Sequence, residues 1–185
     1  RSRGLGDVYK RQVNIMIEEE SVVYAIKSSD GQWWMMDSDG RVVEQANNAK
    51  AATATQVLGV TLEAPTVNEK GVATEMTPSE TNELGELIPV STTGAQRLTA
   101  ALQILKALEN NDIVGEAASV DVTSTEDIIL WYGTRYQVNL GDTSRLDYKV
   151  DCMNDAILQM SDYQSGVLDI SFTIWPNQVG YTPFA

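Results

Sequence analysis

The sequence predicts an α+β fold in which a mainly antiparallel sheet carries two helices packed on one face. Three observations predict it: short β-like runs separated by Gly-containing turns, only two segments with helical periodicity, and strands that arrive in groups between those helices. Grouped strands pair with their sequence neighbours as hairpins and meanders. This arrangement is typical of an antiparallel sheet covered by helices on one side.

The first group of strands forms a meander. Residues 22–26, 32–37 and 41–44 are β-like, and Asp-Gly pairs at 30–31 and 39–40 separate them. Residues 13–17 form an earlier short strand. Residues 46–86 are rich in Ala, Thr, Asn and Glu, with one clear strand at 56–62 and a long acidic loop at 68–87.

Two helices have clear start signals. Thr93 and Gln96 are spaced as a capping box, and leucines at 98, 102, 105 and 108 follow on one face. Ser144 opens the second helix and Asp147 lies in its first turn, where a negative charge favours the helix dipole. Strands at 117–122, 127–132 and 135–140 lie between the helices, and strands at 167–174 and 179–182 follow the second.

Composition limits the function. Thirteen Lys and Arg residues against 26 Asp and Glu residues give a net charge of −13, which disfavours binding to nucleic acid and to anionic lipid. The chain has no histidine, which removes His-based catalysis and His-ligated zinc. Cys152 is the single cysteine, and no run of about 18 apolar residues suggests a transmembrane helix. We therefore expect no enzyme activity, no cofactor and no metal.

The possible metal and catalytic patterns have simpler explanations. The acidic run 18–20 alternates between the two faces of a strand, and Asp37, Asp39 and Gly40 are explained by a plain turn rather than a calcium loop. With 26 acidic residues the sequence cannot select a catalytic carboxylate pair. Trp33 and Trp34 are adjacent, so one faces the core, and the other is either a binding anchor or covers the sheet.

The carboxyl-terminal segment predicts a sheet edge. Leu168, Ile170, Phe172 and Ile174 alternate with polar residues, and Pro176 and Pro183 follow. Because proline lacks the N–H that a central ladder requires, we expect this end to lie at the edge of the sheet. An apolar edge is commonly covered by a strand from a partner, although the segment could equally just close the sheet.

The order of these elements resembles the FtsQ/DivIB family of bacterial cell-division proteins. The resemblance runs from residue 13 to 184. It includes 13–25 with 32–40, the leucine-striped helix, 119–121 before a meander, 138–141 with 146–149, 166–171 and 179–183. Glu19 and Ser21 depart from the family pattern, and the acidic loop is longer. The implied division is a foreign or disordered leader at 1–12 (or a basic native arm), the end of a POTRA-like domain at 13–27, and an FtsQ/DivIB-like β domain at 28–185.

The resemblance implies a non-enzymatic scaffold subunit of the divisome. Such a protein is a single-pass cell-membrane protein, anchored by a segment missing here, whose extracytoplasmic domain binds FtsL and FtsB/DivIC-type partners at the septum. Strand addition at the carboxyl-terminal edge is the implied binding mode, and a monomer is expected without partners. The implied partner-binding residues are Asp169, Ile170, Ser171, Phe172, Thr173 and Tyr181.

Two alternatives stay open at this point. One is an extracellular self-assembly or adhesion module that pairs through the terminal edge and Trp34. The other is a glycoside hydrolase with a carboxylate pair, which a cleft holding two acids about 5 to 9 Å apart would favour.

Overall fold

The structure, a computed structural model, describes residues 22–75, 80–81, 87–88, 92–174 and 176–185. The predictions for the leader, for the strand at 13–17 and for the acidic run 18–20 therefore lie outside the described residues, as does part of the acidic loop. Among the described residues, no helix combines the length and apolar character needed to cross a bilayer.

An α+β architecture is confirmed, with a large sheet and two substantial helices. The strands are β1 (Tyr24–Ser28), β2 (Trp33–Met36), β3 (Val42–Ala46), β4 (Gln56–Leu62), β5 (Glu80–Thr81), β6 (Leu87–Ile88), β7 (Ala117–Asp121), β8 (Ile128–Tyr132), β9 (Tyr136–Gly141), β10 (Gly166–Asp169) and β11 (Gly180–Pro183). The helices are α1 (Asn48–Ala52), α2 (Gly94–Asn110) and α3 (Leu146–Gln159), and a 3₁₀ turn spans Val114–Glu116.

Nine strands form the main sheet in the order β11-β10-β9-β8-β7-β4-β1-β2-β3, while β5 and β6 pair separately. Five of the eight neighbouring pairs in that sheet are antiparallel, so the prediction of a mainly antiparallel sheet is confirmed. The three parallel pairs are β1 with β4, β4 with β7, and β9 with β10. Helix α2 lies in the crossover from β4 to β7, and α3 lies in the crossover from β9 to β10, because parallel neighbours need such a connection.

The predicted meander of β1, β2 and β3 is confirmed. Gly31 and Gly40 adopt φ values of 82° and 83° in its two turns, a conformation that costs glycine little. The Asp37 carboxylate accepts hydrogen bonds from the main-chain N–H groups of Asp39 and Arg41, at 3.0 and 2.8 Å. These bonds close the second turn, which is how a plain turn uses an aspartate.

The sequence predicted the start of the first long helix correctly, but it placed the start of the second too early. Helix α2 begins after Thr93, and the predicted capping box with Gln96 is present in both directions. Helix α3 begins at Leu146 rather than at Ser144, and its first boundary residue is Arg145 with φ 54°. The Ser144 hydroxyl is bonded to the Asp142 carboxylate instead of capping the helix. Asp147 does lie in the first turn of α3, as predicted.

Both long helices pack on the same face of the sheet, here called the inner face. Leucines and alanines of α2, with Val150 and Met153 of α3, join alternate residues of the strands in one core. On the opposite, outer face, α1 covers a smaller cluster of Ala25, Met35 and Ala51. Trp34 packs against the inner core and Trp33 against the outer cluster, so the prediction that the two face opposite ways is confirmed.

One strand boundary differs from the sequence prediction. The terminal strand predicted at 167–174 ends at Asp169, because the backbone turns after Ile170 and Phe172 adopts φ 57°. Strand β1 lies inside the main sheet between β2 and β4. The main sheet therefore includes residues 24–27.

Candidate protein interface at the carboxyl-terminal edge

The hairpin of β10 and β11 forms one edge of the main sheet. Strand β10 pairs with β9 on one side and with β11 on the other, whereas β11 has a single neighbour among the described strands. The predicted edge position of the carboxyl-terminal segment is confirmed. The strand at the edge is β11, and β10 is an interior strand.

The main-chain groups of β11 divide between its neighbour and the open side. Phe184 N–H donates to Ser165 O at 3.2 Å, and Thr182 lies opposite Val167. Since antiparallel residues alternate between those bonded to the neighbour and those pointing away, Tyr181 and Pro183 direct their main-chain groups outward. Proline has no N–H, so the outward groups of β11 are the N–H of Tyr181 and the carbonyls of Tyr181 and Pro183.

The six residues that the resemblance implied are brought together in this hairpin, but they occupy different environments. Asp169 ends β10, opposite Gly180. Ile170 is fully buried, Ser171 and Phe172 are half-buried, and Thr173 is exposed in the turn that follows. Only Tyr181 lies on the edge strand itself.

Tyr181 is held in place by its side chain. Its ring lies opposite Leu168, packs against the inner core, and donates from Oη to Ser165 O at 3.1 Å. The tyrosine therefore fixes the strand through its ring while its main chain faces the open side. This arrangement gives the partly buried hydroxyl an acceptor and leaves the outward N–H and carbonyl available.

The turn after β10 is closely packed. The Asp169 carboxylate accepts bonds from the N–H and the hydroxyl of Ser171, at 3.0 and 2.7 Å. Gly141, with φ 66°, approaches the same serine so closely that a Cβ at position 141 would lie 2.8 Å from Ser171 Cβ. Asp169 and Ser171 thus form the turn by bonding to each other, and the close approach of β9 requires a glycine.

An aromatic pair beside the edge was missed by the sequence reasoning. Trp131 of β8 and Phe184 stack on the outer face, with ring centres 6.2 Å apart and an interplanar angle of 25°. Phe184 is 43% exposed, which is high for so large an apolar side chain. The signal available was the alternation in β8: because Leu130 is a core residue, Trp131 had to face the opposite side.

A groove of about 850 Å³ lies on the inner side of the molecule, between α2 and the start of α3. Leu102 and Leu146 contribute apolar surface and Lys106 contributes a cation. Asp147 is the one carboxylate among its lining residues. The groove therefore lacks the pair of acids that would favour the hydrolase alternative.

The two ionisable groups whose pKa values shift most, Tyr24 and Asp142, are not among the residues that line that groove. Burial and the hydrogen bond that Tyr24 Oη donates to Glu109, at 2.7 Å, raise the pKa of Tyr24 well above its usual value. The Lys149 ammonium, bonded to Asp142 at 2.8 Å, lowers the pKa of Asp142 to about 2. The first pair ties α2 to β1 and the second ties α3 to the loop after β9, which is a structural use of these groups. Within the described ranges, no three Cys, Asp or Glu side chains are grouped as a metal ion would need.

The fold and the edge define a class: an α+β domain whose sheet ends in a short, tightly anchored strand with an open side. No protein-family profile, no curated protein and no solved structure matches the chain.

Proposed function

We propose that this chain is a non-enzymatic scaffold subunit of the bacterial divisome, of the FtsQ/DivIB type, that binds FtsL and FtsB/DivIC-type partners by strand addition at β11. The observation that carries the proposal is the open side of β11, where Tyr181 offers one main-chain donor and one acceptor next to the Pro183 carbonyl. The order of elements along the chain, which underlies the resemblance to this family, supports the same proposal.

Strand addition needs a fixed edge and side chains that select register. The ring of Tyr181 anchors the edge to the core, and Gly180 and Thr182 use their main chains to bind β10. A partner strand along β11 extends the nine-stranded sheet, gains main-chain hydrogen bonds, and places alternate side chains on the two faces. On the outer face these side chains meet the Trp131–Phe184 pair, and aromatic side chains dominate interface energetics.

The proposed setting is the extracytoplasmic side of the cell membrane at the division septum. The domain is held there by an amino-terminal membrane anchor outside this sequence. In this setting Asp169, Ser171 and Thr173 form the turn beside the docking strand. Phe172 lies within that turn, and Tyr181 lies on the docking strand itself. The strong negative charge keeps the domain away from anionic lipid headgroups.

The test isolates the outward N–H of residue 181. Tyr181→Pro removes that donor and keeps the bonds of Gly180 and Thr182 to β10, whereas Tyr181→Val loses the ring but keeps the donor. Binding of the 185-residue chain to the extracytoplasmic segments of FtsL and the FtsB/DivIC-type protein from the same bacterium is measured by calorimetry. We expect Kd for Tyr181→Pro to exceed that for Tyr181→Val about ten-fold, the worth of one main-chain hydrogen bond.

Equal binding by the two variants would move the interface away from β11. Absence of binding by the unaltered chain would overturn the divisome proposal, and an increase of mass with concentration in the same samples would then favour the self-assembly alternative.

A further inference from the structure

Four side chains near the carboxyl-terminal hairpin form a cluster, here called the arginine clamp: Arg145, Tyr148, Phe172 and Asn177. The Arg145 guanidinium carbon lies 4.4 Å from the ring centre of Tyr148 and 5.8 Å from that of Phe172. Its Nη1 donates to Asn177 Oδ1 at 3.0 Å. The two rings are themselves 5.7 Å apart, tilted by 44°.

The clamp joins two parts of the chain that the sheet alone leaves separate. Arg145 and Tyr148 belong to the start of α3, which connects β9 to β10. Phe172 and Asn177 belong to the segment 170–179, which connects β10 to the edge strand β11. One arginine side chain therefore fixes the approach to β11 against a helix.

Backbone strain is concentrated at the same place. Arg145, Phe172 and Asn177 have φ values of 54°, 57° and 58°. Residues with a Cβ adopt this left-handed conformation at a cost in free energy, and it persists only where surrounding contacts hold it. Here the contacts of the Arg145 side chain link all three strained residues.

The chemistry of the cluster suits arginine in particular. Among the described residues, Arg145 forms no salt bridge with a carboxylate; its contacts are an amide oxygen and two aromatic faces. A planar guanidinium stacks on rings and donates from its edge at the same time, which the ammonium of lysine cannot do.

From these contacts we infer that Arg145 is a positioning residue for the docking edge. It acts through Phe172 and Asn177 to hold β11 in the position in which a partner strand can pair with it. This inference rests on the proposed function for its biological use. It also changes the role expected for Phe172, whose half-buried ring is part of the clamp. Phe172 supports the edge from within, while the contacts with a partner belong to β11 and the Trp131–Phe184 pair.

Amide hydrogen exchange of the free 185-residue chain tests the positioning without any partner. The amides of Gly180, Thr182 and Phe184 point at β10 and are protected as long as β11 is held. In Arg145→Ala we expect them to exchange roughly ten-fold faster, since two cation–π contacts and one hydrogen bond are lost. Arg145→Lys retains the charge, and we expect it to restore little of the protection that Arg145→Ala loses.

Two matched variants separate positioning from general destabilisation. Phe172→Tyr keeps an aromatic face for the guanidinium and should retain protection, whereas Phe172→Leu should lose it. Lys27→Ala removes another cation–π contact, 5.0 Å from Trp33 at the other end of the sheet, and should leave β11 protected. Partner binding by Arg145→Lys should weaken about three-fold or more, because a smaller fraction of molecules presents the competent edge.

Unchanged exchange of the β11 amides in Arg145→Ala would overturn the inference, and so would a uniform increase that includes β1 and β2. Faster exchange confined to the hairpin, with no partner binding by the unaltered chain, would support the positioning of β11 and overturn the proposed divisome function. The two failures are therefore distinguishable.

Discussion

Lys149 is a charged residue buried in the core, where it is only 1% exposed. Its Nζ donates to the Asp142 main-chain carbonyl and to the Asp142 carboxylate, both at 2.8 Å. A buried ammonium is tolerated only when it is paired and hydrogen-bonded, because its hydration is lost. Asp142 meets both needs, and it thereby ties the loop after β9 to α3.

Removal of the Asp142 charge should destabilise the fold in a pH-dependent way. Asp142→Asn leaves a buried cation without its counter-charge, and we expect the free energy of unfolding to fall by about 2 kcal/mol at pH 7. This cost is below that of a fully buried pair because 58% of the Asp142 side chain is exposed. Urea denaturation measures it, with Asp151→Asn, at an exposed position inside α3, as the control.

The pH dependence follows from the lowered pKa. Asp142 has a pKa of about 2 in the fold and about 3.9 when unfolded, so its contribution is present above pH 4 and is lost as the pH falls toward 2. The difference between the unaltered chain and Asp142→Asn should shrink over that interval. A difference that is the same at pH 7 and pH 2.5 would contradict the ion pair.

At the scale of single elements, sequence signals work where the stabilising contacts are local. The capping box of α2 is formed within four residues, and the glycine turns of the meander within a few more, so all were predictable. The start of α3 was not, because the strained Arg145 before it is held by distant Phe172 and Asn177. The end of β10 depends in the same way on the close approach of Gly141 to Ser171.

The capping box of α2 gives a test at this scale. Thr93 accepts from the N–H of Gln96, and the Gln96 side chain accepts from the N–H of Thr93. Thr93→Ala leaves the N–H of Gln96 without its side-chain acceptor, and we expect it to lower the free energy of unfolding by about 1 kcal/mol. Thr99→Ala, an exposed site inside the same helix, is the control and should be neutral or slightly stabilising. Equal effects of the two would mean that the box contributes nothing.

At the scale of the molecule, strand order was the part that sequence could not supply. The alternating patterns identified the strands, but β4 lies between β1 and β7 because of contacts more than 30 residues apart. The same limit applied to the site. Pro176 and Pro183 indicated that this segment lies at an edge, but the strand pairing that puts Tyr181 on the edge strand came only from the structure. Trp131 reaches Phe184 only through the pairing of β8, β9, β10 and β11, which no local pattern encodes.

The two edges of the sheet are protected differently. At β3, the loop at 66–71 covers the strand: Val42 N–H donates to Glu69 O and Asn68 N–H donates to Val42 O, both at 2.8 Å. At β11 there is no such loop among the described residues, and the outward N–H at position 183 is removed by proline. Short edge strands interrupted by proline are a known defence against unwanted pairing between copies. The open side of β11 is therefore available to a partner strand, but it is a poor template for pairing with β11 of a second copy.

Restoring the missing donor should therefore create self-pairing. Pro183→Val places a second outward N–H two residues from that of Tyr181, so two copies can pair edge to edge with more main-chain bonds than before. We expect sedimentation velocity to show a concentration-dependent dimer for this variant and a monomer for Pro176→Val, an exposed loop position. A Pro183→Val chain that stays monomeric would mean that Pro183 is not what prevents pairing. Dimers of the unaltered chain would mean that the edge is already a self-assembly surface, and the divisome proposal would lose its supporting observation.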